Sequence, residues 1–199
     1  MPQYSLGLYE KAMPDGLSFR EMLELTKRTG FDRLELSIDE SDMRLARLDW
    51  TSDQVRGLKC MMDDSSILIR TMCLSGHRKY PLGSHDPVIR ERSLEIMRKA
   101  VGLAAELGIA IIQLAGYDVY YETGDEETRA WFAQNLAIST EMAAKAGVVL
   151  GVETMETPFM DTVGKAMAYV DLVGSPYLGV YPDIGNLKNA AVLYSSDLL

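Results

Sequence analysis

Cysteine, tryptophan and histidine are each present only twice in this 199-residue sequence. Cys60 and Cys73 cannot make a disulfide framework, and they fit a reduced, cytoplasmic compartment. Positive charge is also in short supply. Twenty Lys and Arg against 29 Asp and Glu leave a net charge of −9. Such a surface repels a phosphate backbone, so nucleic acid is not an expected partner. No apolar run approaches the roughly 20 residues needed to cross a membrane. The N-terminus, MPQYSLGLYEKAMP, lacks the basic start and long apolar run of a signal peptide. The expectation is a soluble, cytoplasmic protein with no membrane partner.

What is present is ordinary globular material, 47% hydrophobic and 25% charged. It is arranged as short apolar runs alternating with longer amphipathic ones. Strands are expected over residues 5–9, 33–37, 67–75, 109–115, 148–153 and 177–183. Ser18 and Glu21 have capping-box spacing and open a helix that runs to Thr29, before Gly30. A loop over 38–50 precedes a helix capped by Thr51 or Ser52. Asp86 followed by Pro87 opens a helix that stops at Gly108. Helices over 126–146 and 161–173 end at Gly147 and Gly174, and the last 16 residues read as a loop and a partial helix. The junctions RTGFDRLEL, ELGIAIIQL and KAGVVLGVE repeat one design of helix end, glycine and strand.

Strict alternation of strand and helix means a parallel sheet with right-handed crossovers. No G-x-G-x-x-G or P-loop follows a strand, which speaks against a doubly wound nucleotide fold. Polar residues instead follow nearly every strand, and that is the signature of a barrel's active face. The expected fold class is therefore α/β, of the (β/α)₈ TIM-barrel type but incomplete. About six βα units lie in a single domain over 1–199, which lacks the last two strands.

Glu153 and Asp183 each end an apolar strand, in VVLGVETME and YLGVYPDIGN. Neighbouring barrel strands would bring them together, and two carboxylates at one buried rim repel unless a cation or proton lies between them. A divalent metal would resolve this, with hard oxygen ligands suiting Mn²⁺ or Mg²⁺ and added imidazole suiting Zn²⁺. Equally, each acid could cap the following helix or pair with a local base. His77, Arg78 and Lys79 form the best anion-binding cluster, since Arg grips phosphate bidentately and Lys adds a point charge. Tyr117 and Asp118 are candidates for contacting substrate hydroxyls, as against simple packing. Glu10 and Glu156 are weaker candidates.

The segments LGLYEKAMP, CLSGHRKYPLGS, LEIMRKA, IQLAGYDVYY and YPDIGNL occur in the order and spacing of the L-ribulose-5-phosphate 3-epimerases (L-xylulose-5-phosphate 3-epimerases). The chain resembles that family, within the xylose-isomerase-like group, from about Leu6 to Leu187. The resemblance implies a barrel, a divalent metal (Zn²⁺, Mn²⁺ or Mg²⁺) and metal-assisted proton transfer at C3 through an enediolate. The partner would be a ketopentose 5-phosphate, L-xylulose or L-ribulose 5-phosphate, and a homodimer is compatible.

By the same resemblance Glu153 is a metal ligand and a catalytic base, and Asp183 is a second ligand. A histidine and a second glutamate that complete the family's site have no counterpart here. The expectation is that this chain alone is inactive, with edge strands left open at the first and sixth positions. Alternatives are an aldose–ketose isomerase of sugar phosphates or a non-catalytic truncated product. The related apurinic endonucleases bind several zinc ions through many histidines, and two histidines argue against that activity.

Overall fold

The computed structural model describes residues 4–195. Among the described residues six parallel strands form one sheet: β1 (Gly7–Tyr9), β2 (Arg33–Ser37), β3 (Leu68–Leu74), β4 (Ile111–Leu114), β5 (Val149–Glu153) and β6 (Leu178–Tyr181). They lie in sequence order, each bonded to its neighbours in the chain, so β1 and β6 are the two edges. The helices between them are α1 (Phe19–Arg28), α2 (Asp42–Leu45), α3 (Ser52–Ser65), α4 (Pro87–Leu107), α5 (Glu126–Ala146) and α6 (Val163–Val173). A last helix, α7 (Ile184–Tyr194), follows β6.

Local chemistry accounts for the helix ends. Ser18 and Glu21 make the reciprocal capping box at α1, and Thr51 with Gln54 makes a second one at α3. Asp86 caps α4 with Pro87 in its first turn, where the missing N–H costs nothing. Gly108, Gly147 and Gly174 each end a helix in the left-handed region, with φ of 74°, 71° and 61°. A side chain there would meet its own backbone, which is why the repeated helix–glycine–strand junction needs glycine.

Strand residues alternate between two environments. One set faces the helices and is fully apolar: Leu34, Leu36, Met72, Leu74, Ile112, Leu114, Leu150 and Val152 are all buried. Each such side chain contributes roughly 1.5–3 kcal/mol by leaving water. The other set faces the concave side of the sheet. Its lower layer is Thr71, Ile111 and Val149, held in one row by the strand register. Its upper layer is polar, with Cys73 and Gln113 in register and Glu153 opposite Tyr181. The sheet therefore has its apolar core against the helices and a polar concave face at the strands' C-terminal ends.

Two expectations need correction. The stretch 38–50 is not a plain loop: it contains α2 and a 3₁₀ turn over Ala46–Asp49. Ser41 caps α2 by accepting from the Arg44 amide, but four residues are too few to show helical periodicity. The residues after β6 form a three-turn helix, α7, capped by Asp183, in place of a loop and a partial helix.

Candidate active site

A cleft of about 290 Å³ opens on the concave face at the C-terminal ends of the strands. Tyr9, Glu35, Cys73, Gln113, Glu153 and Tyr181 line it from β1 to β6, and Lys11, Ser75, Arg78 and Asp183 complete it from the loops that follow. Both acids singled out by their strand-end position are therefore in one cleft. Register brings this about, because parallel pairing of β5 and β6 sets Glu153 beside Tyr181, two residues before Asp183.

Glu153 is mostly buried, and its proton affinity is pushed up to about 7. Burial is the main cause, since it penalises the charged form. The Gln113 side chain and Arg78 pull the other way, while the Asp183 and Glu35 carboxylates push further up. Asp183 caps α7, its Oδ1 accepting from the Asn186 amide at 2.9 Å. The capping alternative raised for Asp183 thus coexists with its place in the cleft.

The thiol of Cys73 is pushed up to about 11, chiefly by burial, so it is protonated at neutral pH in the metal-free cleft. A divalent cation would find hard carboxylate donors here in Glu153 and Asp183, while Glu35 on the same cleft accepts from Tyr181. Among the described residues no group of three or more His, Cys, Asp or Glu is gathered as a metal site.

Arg78 and Lys11 are the cations that line this cleft, and Lys11 is already paired with Asp39 at 3.2 Å. The Arg78 guanidinium lies 5.9 Å from the Tyr117 ring centre and 5.3 Å from that of Tyr120, which hold it by cation–π attraction. Its buried Nε has no hydrogen-bond acceptor among the described residues. Tyr117 is itself buried and edge-on to Tyr120, and its hydroxyl is pushed up to about 12, mainly by burial. It supports Arg78.

The other candidate residues are placed elsewhere. His77 is buried with Nε2 3.2 Å from the Ser93 carbonyl in α4, so it faces the helix layer and not the cleft. The short 3₁₀ turn over Ser75–Arg78 sends successive side chains in different directions, which separates His77 from Arg78. Lys79 is exposed, with its ammonium 5.4 Å from the Tyr80 ring centre, and lines a neighbouring groove. Asp118 is buried and structural: it accepts from the Thr128 hydroxyl at 2.7 Å, and its carbonyl accepts from the Gly83 amide. Glu156 is exposed and does not line the cleft.

Glu10 is fully committed. Arg47 grips it at 2.7 and 2.8 Å, the Ser37 amide donates at 2.9 Å, and Arg44 adds a contact at 3.3 Å. Burial alone would raise its pKa, but the Arg47 guanidinium and the other donors hold it below the usual carboxylate range.

Sequence reasoning did not single out Tyr9, Glu35 and Tyr181. Tyr181 reaches across the concave face to donate to Glu35 at 3.1 Å, and Gly151 leaves room for its ring. The period of two along each strand was the available signal, for it puts Glu35 and Tyr181 on the same face as Glu153.

Comparisons with known proteins agree with this geometry. The xylose isomerase-like TIM barrel family model matches residues 23–192. The L-ribulose-5-phosphate 3-epimerase UlaE of Salmonella typhimurium is 48% identical over 186 residues, which are 94% of this chain and 66% of that protein. The protein of that name from Salmonella paratyphi B matches to the same extent. The chain thus spans just under two thirds of the length of these curated relatives. Among solved structures, a D-psicose 3-epimerase crystallised in the presence of D-fructose has a TM-score of 0.80 at 17% identity. That likeness covers 97% of this chain and 67% of the other. An L-ribulose 3-epimerase has a TM-score of 0.73 at 20% identity, over 92% and 62% of the two chains. These structural likenesses establish the fold: six βα units of a barrel. By sequence model and by architecture, the chain belongs to the xylose isomerase-like TIM barrel family.

Proposed function

We propose that this chain supplies the acid-bearing part of the active site of a sugar-phosphate 3-epimerase. The substrate would be a ketopentose 5-phosphate, interconverted between L-xylulose and L-ribulose 5-phosphate. One observation carries the reading: Glu153 and Asp183 share one cleft at the strands' C-terminal ends, where burial pushes the Glu153 carboxyl up to about 7. A group that exchanges protons near neutral pH is what proton abstraction beside a carbonyl requires. The 48% identity to proteins named L-ribulose-5-phosphate 3-epimerase supports the choice of substrate.

Epimerisation at C3 removes the proton next to the C2 ketone and returns it to the opposite face. Glu153 is the group in this chain suited to hold or move that proton. Glu153 and Asp183 would hold a divalent cation, and their hard oxygens suit Mn²⁺ or Mg²⁺ more than Zn²⁺. When bound, such a cation supplies Lewis-acid polarisation of the substrate's oxygens. Arg78, held by Tyr117 and Tyr120 and with no acceptor for its Nε among the described residues, would meet the phosphate, and Lys11 lines the same cleft. The burial that raises Glu153 also strengthens these contacts.

The test uses this chain fused to the remaining third of the Salmonella typhimurium relative, with Mn²⁺, in D₂O. Proton NMR of L-ribulose 5-phosphate should show deuterium entering at C3 with the epimer appearing. Glu153→Gln in the fusion should lower the rate by about 10²–10⁴-fold. An aldose product would indicate an isomerase instead. Exchange unaffected by Glu153→Gln would contradict the assignment of the base.

A further inference from the structure

Both cleft acids sit at strand ends, but β6 is an edge strand, and Asp183 lies two residues beyond its last paired position. Strand pairing therefore does not by itself fix where the Asp183 carboxylate stands relative to Glu153. A separate set of contacts does. Thr154, the residue after Glu153, is completely buried, and its Oγ1 accepts from the Asp183 amide at 2.9 Å. The Thr154 amide donates to the Tyr181 carbonyl at 3.2 Å. The Thr154 carbonyl accepts from Asn186 Nδ2 at 3.0 Å, and the Asn186 amide donates to Asp183 Oδ1 at 2.9 Å. Thr154, Asp183 and Asn186 thus close a ring of hydrogen bonds between the end of β5 and the first turn of α7.

We propose that Thr154 and Asn186 are positioning residues that set the Asp183 carboxylate against Glu153 as a divalent-cation pair. This rests on the cation reading above and assigns it two further residues. The ring does two things. It fixes the backbone of Asp183 from Thr154, and it commits Oδ1 to the Asn186 amide, which fixes the carboxylate's orientation. A hydroxyl is required at 154, because valine has the same shape and no acceptor for the Asp183 amide. Groups that orient a metal's ligands commonly contribute about 10–100-fold to its affinity.

The experiment is calorimetric titration of Mn²⁺ into the chain and three variants, with melting temperature recorded for each. Thr154→Val and Asn186→Ala should each weaken Mn²⁺ binding about tenfold or more while remaining folded. Thr154→Ser, which keeps the hydroxyl, should bind within about twofold of the parent. Two variants guard against one failing to fold. Parental affinity in both Thr154→Val and Asn186→Ala would overturn the proposal, as would weakening by Thr154→Ser equal to that by Thr154→Val. If the parent itself took no Mn²⁺, the cation reading would fall separately. Crystal structures of the parent and variants would then decide the clamp. An Asp183 carboxylate displaced from Glu153 in the variants would support it, and an unmoved one would overturn it.

Discussion

Glu10 and Glu153 make an instructive pair. Each is a glutamate at the C-terminal end of a barrel strand, and each is largely withdrawn from water. At Glu10 the protein supplies the counter-charge itself: Arg47 holds both oxygens and Arg44 adds a second cation. Its pKa is held low, and nothing is left for a ligand to do. At Glu153 burial raises the pKa to about 7, the Asp183 and Glu35 carboxylates push it further up, and Gln113 and Arg78 offset this only in part. Residue type and strand-end position are the same, so they do not mark the functional acid. The mark is whether the fold has neutralised the charge or left it for a proton or cation.

The largest expected effect comes from breaking that contrast at Glu10. Glu10→Gln leaves the Arg47 guanidinium buried without its partner, and loss of one member of a buried pair costs about 3–5 kcal/mol. Urea unfolding should show that loss, with Mn²⁺ binding unchanged within about twofold in the folded protein. Equal damage to Mn²⁺ binding would mean that Glu10 belongs to the site after all.

His77 sharpens the comparison by showing burial acting on a base. Its pKa is lowered to about 4, chiefly by burial, against an ordinary 6.5. It is neutral in the folded chain down to that value, whereas the unfolded chain takes up the proton near 6.5. Stability from this residue is full above pH 6.5 and is lost as pH falls toward 4, by about 3 kcal/mol. His77→Gln should flatten the slope of stability between those pH values. An unchanged slope would contradict the account of His77 as a buried, neutral imidazole.

Much of this architecture was legible in the sequence, and the reasons differ by element. Capping boxes and helix-ending glycines are local chemistry, so α1, α4 and α5 begin and end within a residue or so of their expected bounds. The strand centres followed from apolar runs, but the pairing ends sooner than the runs do, and β4 shrinks from 109–115 to Ile111–Leu114. Glu153 and Asp183 were legible because each follows an apolar strand in a repeating unit.

The anion cluster was legible only in part. His77, Arg78 and Lys79 are adjacent in sequence, yet the 3₁₀ turn sends one to the core, one to the cleft and one to solvent. Asp118 and Glu10 depended on partners 10 and 37 residues away, Thr128 and Arg47, which no local pattern reveals.

The most direct measurement of the central claim is proton release on Mn²⁺ binding at pH 6. Calorimetry in two buffers of different ionisation enthalpy gives the number. Near pH 6 a group titrating at about 7 is mostly protonated. A cation that takes the place of that proton should therefore release close to one proton per Mn²⁺ in the parent chain and none in Glu153→Gln. Binding with no proton release, or equal release from Glu153→Gln, would contradict the account of Glu153 and Asp183 as a charge pair left open for a cation.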